Sequence, residues 1–287
     1  MAARMRRRGW AAGLIALVAA SGCGGHHNPA PQRAAARQPA DRLDLGVVSI
    51  TARIGRDTVE SAGTVYDADR GLILTTAHSV WGARSLKVST GVAVLHGRIL
   101  ARDACDDLAV LETQPRLPGL AAVPPSADGT LPSGRPIVAV RRRAGLPSSR
   151  PGLATQRVVV EPRAAGPLFP GVRPRDAVAI TARALPPEAT GSPLIGGDGR
   201  LAALAQVVED GRGTARVALP WDTIAARMQE LRPGGQAQYV GWQRHYRCAA
   251  AMHRYAAAHH PGFRPADARL NAPVPATRLP GTEGVDG

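Results

Sequence analysis

Lysine is almost missing from this chain of 287 residues: Lys87 stands alone, and the other 35 basic side chains are arginines. The net charge is +14, which raises the question of nucleic acid. Aromatic residues make up only 3% of the chain, however, with two Phe, four Trp and four Tyr. Strand binding needs aromatic side chains interleaved with the positive charge, so that bases have a face to stack on. Here the arginines are scattered apart from Arg141-Arg142-Arg143, in a chain also rich in Ala, Gly and Pro. That profile reads as coding bias toward high GC, and no nucleic-acid partner is expected. Anionic lipid headgroups or acidic cell-wall polymers are the more natural counterparts of the charge. Long apolar runs are also lacking. Only the N-terminal segment carries one, and it is too short to span a bilayer. With three cysteines and scattered histidines, no spacing forms a metal-ligand set, and no metal or organic cofactor is implied. His26-His27 reads as a solvated pair in a linker, and His245, His253, His259 and His260 as polar-face residues of a C-terminal helix.

What the chain does have begins with four arginines within Met1–Arg8, an apolar run from Trp10 to Ala20, and Ser21-Gly22-Cys23. A basic start, a short apolar stretch and small residues mark residues 1–22 as an export signal. Small residues running directly into Cys resemble the lipobox of bacterial lipoproteins, with Ala20 where Leu is usual. The resemblance implies lipidation of Cys23 and anchoring to the outer face of the cell membrane; an ordinary secretory signal is the alternative. Residues 23–44 have no apolar periodicity and read as a flexible tether.

From residue 45 the pattern changes. The runs Val47–Ala52, Ser61–Tyr66, Leu72–Thr76, Ser85–Val88, Val92–Leu100, Leu108–Glu112 and Pro136–Val140 are short and separated by breakers. Gln156–Glu161, Ala177–Thr181, Leu201–Val208 and Thr214–Leu219 follow. Short strands at turn-punctuated intervals with no helices between them predict an all-β barrel or sandwich. The Pro- and Gly-rich stretch around residues 115–135 divides them into two groups, hence two small barrels. Helices are predicted over Pro220–Leu231, with Asp222 or Thr223 as N-cap, and over Gly241–His259, where Trp242, Tyr246, Ala249, Met252 and Ala256 form a stripe. Residues 233–287 are thus a C-terminal helix and an irregular tail.

Three segments carry the chemistry. The hairpin Ser61-Ala62-Gly63-Thr64-Val65-Tyr66…Gly71-Leu72-Ile73-Leu74-Thr75-Thr76-Ala77-His78 comes first, followed by Asp106-Asp107-Leu108-Ala109-Val110-Leu111 and then Gly191-Ser192-Pro193-Leu194. The chain order His, Asp, nucleophile turn resembles the trypsin-like serine proteases, and within them the HtrA (Deg) group, over about residues 45–232. No PDZ-like segment follows. The resemblance implies a two-barrel (chymotrypsin) fold with a closing helix, an active site between the barrels, and a protein or peptide as substrate or ligand. It carries His78 over as general base and Asp107, in preference to Asp106, as the carboxylate that orients it.

The turn departs from the family. Registering the pattern Gly-X-Ser-Gly-Gly-Pro on Pro193 puts Thr190 at the nucleophile position and Glu188 where the oxyanion hole normally has Gly. Threonine's extra methyl restricts χ1 and crowds the approach to a carbonyl. Ser192 is the alternative nucleophile, two residues along the backbone. The expectation is therefore either a weak Thr/His/Asp endopeptidase or an impaired homologue that binds without cutting; a non-catalytic scaffold lipoprotein is the alternative outside these. Gln206 is a candidate wall of the specificity pocket. Cys105 and Cys248, an even pair in an oxidising compartment, either form a disulfide or remain two isolated thiols.

Overall fold

The computed structural model describes residues 46–114, 120–127, 129–143, 146–160, 175–181, 185–209, 214–230 and 242–265. The export signal with Cys23, the tether, His245's side chain and the C-terminal tail lie outside the described residues.

Twelve strands form two closed antiparallel barrels, as the strand pattern predicts. The first contains β1 (Val47–Ile54), β2 (Asp57–Asp67), β3 (Leu72–Thr75), β4 (Ala83–Ser89), β5 (Val94–Asp103) and β6 (Leu108–Gln114), ordered β1-β2-β3-β6-β5-β4. The second contains β7 (Pro136–Arg143), β8 (Leu146–Val160), β9 (Arg175–Ile180), β10 (Pro193–Ile195), β11 (Leu201–Glu209) and β12 (Thr214–Pro220), ordered β10-β11-β12-β9-β8-β7. Alternation drives the first barrel: Val48, Ile50, Ala52 and Ile54 point inward from β1 against Val65, Ile73, Val88 and Leu111. The second barrel fills its interior with smaller side chains, including Ala139, Ala154, Ala189, Ala202, Ala203, Ala205 and Ala218.

Helix α1 (Trp221–Glu230) closes the seam between the barrels. Its Ile224 and Met228 pack with Leu72, Leu74, Leu108 and Val110 of the first barrel and Leu204 and Leu219 of the second. It starts one residue before the expected cap, at Trp221, and Asp222 sits in its first turn, where its carboxylate accepts the Thr223 N–H at 2.6 Å and faces the positive end of the helix dipole. Helix α2 (Trp242–His259) lies on the first barrel, with Cys248, Met252 and Ala256 in its core. A disulfide joins Cys248 to Cys105 in the β5–β6 turn, with 5.0 Å between the Cα atoms. The far end of α2 is tied by the Arg56 N–H to the Pro261 carbonyl at 2.8 Å and by His260 Nδ1 to Asp57 at 3.3 Å. His253 is not a solvated polar-face residue: Trp81 Nε1 donates to its Nδ1 at 3.4 Å, and Phe263 lies against it.

Strand β8 begins at Leu146, not near Gln156. Pro147, Ser148, Ser149, Pro151 and Gly152 read as a loop, yet they pair in register with β7 from Arg143↔Leu146 to Ile137↔Gly152. Strand β10 had no sequence signal, because three residues after a turn carry no period. Val92 lies at the tip of the β4–β5 hairpin, 95% exposed, and not in β5.

Removing the bridge by Cys105→Ser with Cys248→Ser opens a loop of 143 residues, which the chain-entropy relation values at about 5 kcal/mol. Urea unfolding is expected to show the unfolding free energy falling by an amount of that order in the double variant, and an unchanged free energy would show that the bridge constrains nothing. Burial pulls His260 below its ordinary value of 6.5, against the opposing pull of Asp57; His259 and His78 add to the downward shift. A histidine kept neutral by folding stabilises fully above pH 6.5, and that contribution is lost as the pH falls below it. The drop in stability between pH 7.5 and 5.5 is therefore expected to be smaller in His260→Gln than in the wild type, measured by the same unfolding curves.

Candidate active site

The site is built on the end of β3 and the start of β6, which are paired neighbours from Leu72↔Glu112 to Thr75↔Ala109. Just beyond that ladder the chain leaves β3 as Thr76-Ala77-His78-Ser79 and enters β6 from Asp107. Asp107 takes a left-handed conformation with φ 57°, which Asp tolerates better than most residues. That twist turns its carbonyl to the Ala77 N–H at 3.1 Å and its carboxylate to His78. Oδ1 accepts the His78 backbone N–H at 2.7 Å, and Oδ2 lies 2.7 Å from His78 Nδ1. Asp107 is fully buried and His78 nearly so. A carboxylate can only accept, so Nδ1 carries the proton and Nε2 presents its lone pair. This is the arrangement in which an imidazole can take a proton from a nearby hydroxyl. Asp106 turns the other way, to Arg227 on α1. Beside it, Asp103 is pushed above the ordinary carboxylate value, first by burial and then by the charge of Asp106.

Helix α2 reaches the same place. The Tyr255 ring meets His78 edge-on with centroids 5.8 Å apart and stacks on His259 at 4.2 Å. Tyr255 belongs to no motif and lies outside the predicted stripe; its helical spacing from Cys248 and Met252 is the signal that could have found it.

The nucleophile turn sits against this pair from the second barrel. Its backbone is sewn to the first: the Ala62 N–H donates to the Thr190 carbonyl at 2.8 Å, and Thr64 Oγ1 donates to the Gly191 carbonyl at 3.3 Å. Gly191 has φ +81°, and a Cβ there would stand 2.2 Å from the Ala62 carbonyl oxygen, so only glycine fits. The hydroxyl of Thr190 is brought to the seam but is engaged elsewhere than on His78. It accepts the Val207 N–H at 3.3 Å and lies 3.2 Å from Thr76 Oγ1. Thr76 Oγ1 donates to Ser79 Oγ at 3.0 Å, and Ser79 Oγ donates to the Thr76 carbonyl at 2.9 Å. With Thr76's proton committed to Ser79, the Thr190 proton points at Thr76. The hydroxyls of Thr190, Thr76 and Ser79 thus all find partners without the imidazole.

Pro187–Ala189 form a single 3-10 turn, in which the Ala189 N–H bonds the Pro186 carbonyl at 2.8 Å and the Thr190 N–H bonds the Pro187 carbonyl at 3.0 Å. The backbone donor that an oxyanion would need from Thr190 is thus closed onto its own turn. Glu188 leans across to Arg141 of β7, with Oε1 3.3 Å from Nη1. Arg141 was part of a basic run in the sequence; its register with Ala139 and Ile137, both buried, is the signal that it points inward.

Ser192 is fully buried, and its Oγ has no hydrogen-bond partner among the described residues, so it does not reach His78. Gln206 is not a pocket wall. It is buried beneath the site, and its Nε2 donates to the carbonyls of Asp106 at 2.9 Å and Asp107 at 3.4 Å. No cluster of metal-binding side chains occurs among the described residues.

Two interlocked six-stranded barrels with a buried Asp–His pair facing a Gly-Ser-Pro turn define a trypsin-like serine-peptidase architecture. The family profile of the trypsin-like peptidase domain matches residues 61–204, and the chain belongs to that family. Among solved structures it is similar to the Rv3671c protease from M. tuberculosis in its active form, at 20% identity and TM-score 0.59, covering 73% of this chain and 88% of that one. It is similar to Deg5 at 21% identity and TM-score 0.54, covering 68% and 92%. The HtrA-type protease AlgW with a tripeptide aligns at 16% identity and TM-score 0.57, covering 68% and 62%. No curated protein matches the chain.

A buried hydroxyl without a partner costs about 1–3 kcal/mol. Ser192→Ala removes that hydroxyl while leaving the turn's backbone bonds, and is expected to raise stability by about 1 kcal/mol, read as an upward shift in Tm. A fall in Tm would show that the hydroxyl is satisfied in solution.

Proposed function

We propose that the protein is a trypsin-like peptidase homologue in which hydrolysis is switched off and the cleft binds a peptide or protein segment without cutting it. The observation that carries this is the bonding of Thr190: its hydroxyl lies 3.2 Å from Thr76 Oγ1 and accepts the Val207 N–H at 3.3 Å, and its own N–H bonds the Pro187 carbonyl at 3.0 Å, which supports a turn not set for attack or for oxyanion binding. Loss of an oxyanion donor alone costs about 10²–10³ in rate. The N-terminal pattern ending at Cys23 supports export and a lipid anchor on the outer face of the cell membrane, where the net positive charge would favour anionic headgroups.

A second reading, a weak Thr190/His78/Asp107 endopeptidase, is favoured by the intact His78–Asp107 pair. A fluorophosphonate probe and a casein assay separate the two. The wild type is expected to show no labelling and no casein cleavage above that of His78→Ala. Thr190→Ser alone is expected to change little, because the serine hydroxyl inherits the bonds to Thr76 and Val207. Thr190→Ser combined with Glu188→Gly, which gives the turn back its conformational freedom, is expected to raise labelling at least tenfold. Wild-type activity that disappears in Thr190→Ala would overturn the proposal in favour of the second reading. Activity that disappears only in Ser192→Ala would make Ser192 the nucleophile. The anchor is tested by palmitate incorporation, expected in the wild type and absent in Cys23→Ala.

A further inference from the structure

The hydrogen bonding around the nucleophile turn is incomplete in one particular way. Five buried side-chain atoms lack a partner among the described residues, and two of them, Ser192 Oγ and Arg141 Nε, lie in the turn and on the side chain paired with it. A buried polar atom with no partner in the chain leaves a bond for something else to complete.

Arg141 is the stronger of the two. Its side chain is 6% exposed and carries five N–H donors, yet among the described residues one contact at 3.3 Å to Glu188 is all it has. A guanidinium kept from water needs an anion. Glu188 is in the opposite position, for its side chain is 40% exposed and water can replace its partner at little cost. A pair this asymmetric can exchange its carboxylate. An incoming carboxylate that bonds Arg141 through two oxygens offers more than the single contact of Glu188.

We propose that Arg141 is the receptor for a carboxylate on a bound peptide, and that Glu188 is an internal stand-in that occupies it until the peptide arrives. This rests on the reading of the cleft as one that binds peptides without cutting them. The ligand is a peptide bearing either a free C-terminal carboxylate or an acidic side chain, which enters where the half-exposed Glu188 side chain now covers Arg141. When Glu188 swings out to solvent, the negative charge at the turn is replaced and not doubled, so the ligand meets no like charge.

The test titrates three peptides into the full-length protein by calorimetry: acetyl-Ala-Ala-Ala with a free carboxylate, its C-terminal amide, and acetyl-Ala-Glu-Ala-amide. Glu188→Gln removes the stand-in and is expected to bind a carboxylate peptide at least tenfold more tightly than the wild type does, and at least tenfold more tightly than it binds the plain amide. The free-terminus and glutamate peptides identify which carboxylate is taken. Adding Arg141→Gln to Glu188→Gln is expected to abolish the difference; Glu188→Gln keeps the test valid should the double variant fail to fold. Equal binding of carboxylate and amide, no binding of any peptide, or acetate matching the peptides would each overturn the receptor. Mass spectrometry of the recovered peptides tests the underlying reading separately. Cleaved peptide would sink non-cleaving binding, while the carboxylate-to-amide ratio, then read as KM, would still decide the role of Arg141.

Discussion

A carboxylate with no access to water must receive its donors from the chain, and Asp107 is such a carboxylate. His78 supplies both, from its backbone N–H and from Nδ1. Much of the first barrel's rim follows from that need. Satisfying Oδ1 fixes where Thr76-Ala77-His78 leaves β3, and the positive φ at Asp107 makes the meeting possible. The same twist separates the neighbouring acid, so Asp106 faces Arg227 on α1 while Cys105 faces Cys248 on α2. Gln206, from the other barrel, ties off the carbonyls of both aspartates. One buried charge thus aligns the β5–β6 turn with both helices and with the second barrel. Replacing either partner would leave the other buried and unpaired, a loss of about 3–5 kcal/mol for a broken buried pair. The pair therefore has a structural reason to persist whether or not it performs chemistry, and its presence is weak evidence for activity.

The turn that faces it is held by different forces. The second barrel's core is largely alanine, which offers less apolar area than the valine, isoleucine and leucine of the first. Its placement at the site leans on backbone bonds across the seam and on the leucines gathered by α1. Threonine suits such a seam. Its β-branched side chain has fewer rotamers to lose on burial, and its hydroxyl links Thr76 to the Val207 N–H. What recommends Thr190 as a joint counts against it as a nucleophile.

The two barrels, the closing helix and the His78–Asp107 meeting were legible because each leaves a pattern of residue types: alternation, helical spacing, an ordered set of motifs. Strand β8 was not, because pairing with β7 is a property of two segments, and Pro147, Pro151 and Gly152 carry a local preference that the ladder overrides. Asp106 and Asp107 are adjacent and alike; the resemblance selects Asp107, while the positive φ that turns it to the imidazole leaves no mark in the sequence. Thr190 was located but its bonds were not, since they depend on where Thr76 and β11 lie relative to it. Arg141 looked like one charge among many. Only the inward register of β7 distinguishes it from Arg142, which donates from Nε to the Val47 carbonyl at 2.7 Å.

The turn is closed by its own sequence. Pro186 has φ −75°, and Pro187 begins the 3-10 turn, so two consecutive positions have their φ fixed by a ring and neither has an N–H to bond elsewhere. Position 188, where glycine in the family can turn its peptide freely, holds Glu, whose Cβ makes the left-handed region costly. The conformations that would present the Thr190 N–H outward are thus disfavoured before any contact is counted. The Glu188 end of the pair with Arg141 is open to water, so the carboxylate itself can leave Arg141 without the turn changing shape. Releasing Glu188 therefore frees Arg141 without opening the oxyanion site, and occupation of the cleft and recovery of catalysis are separable events in this chain.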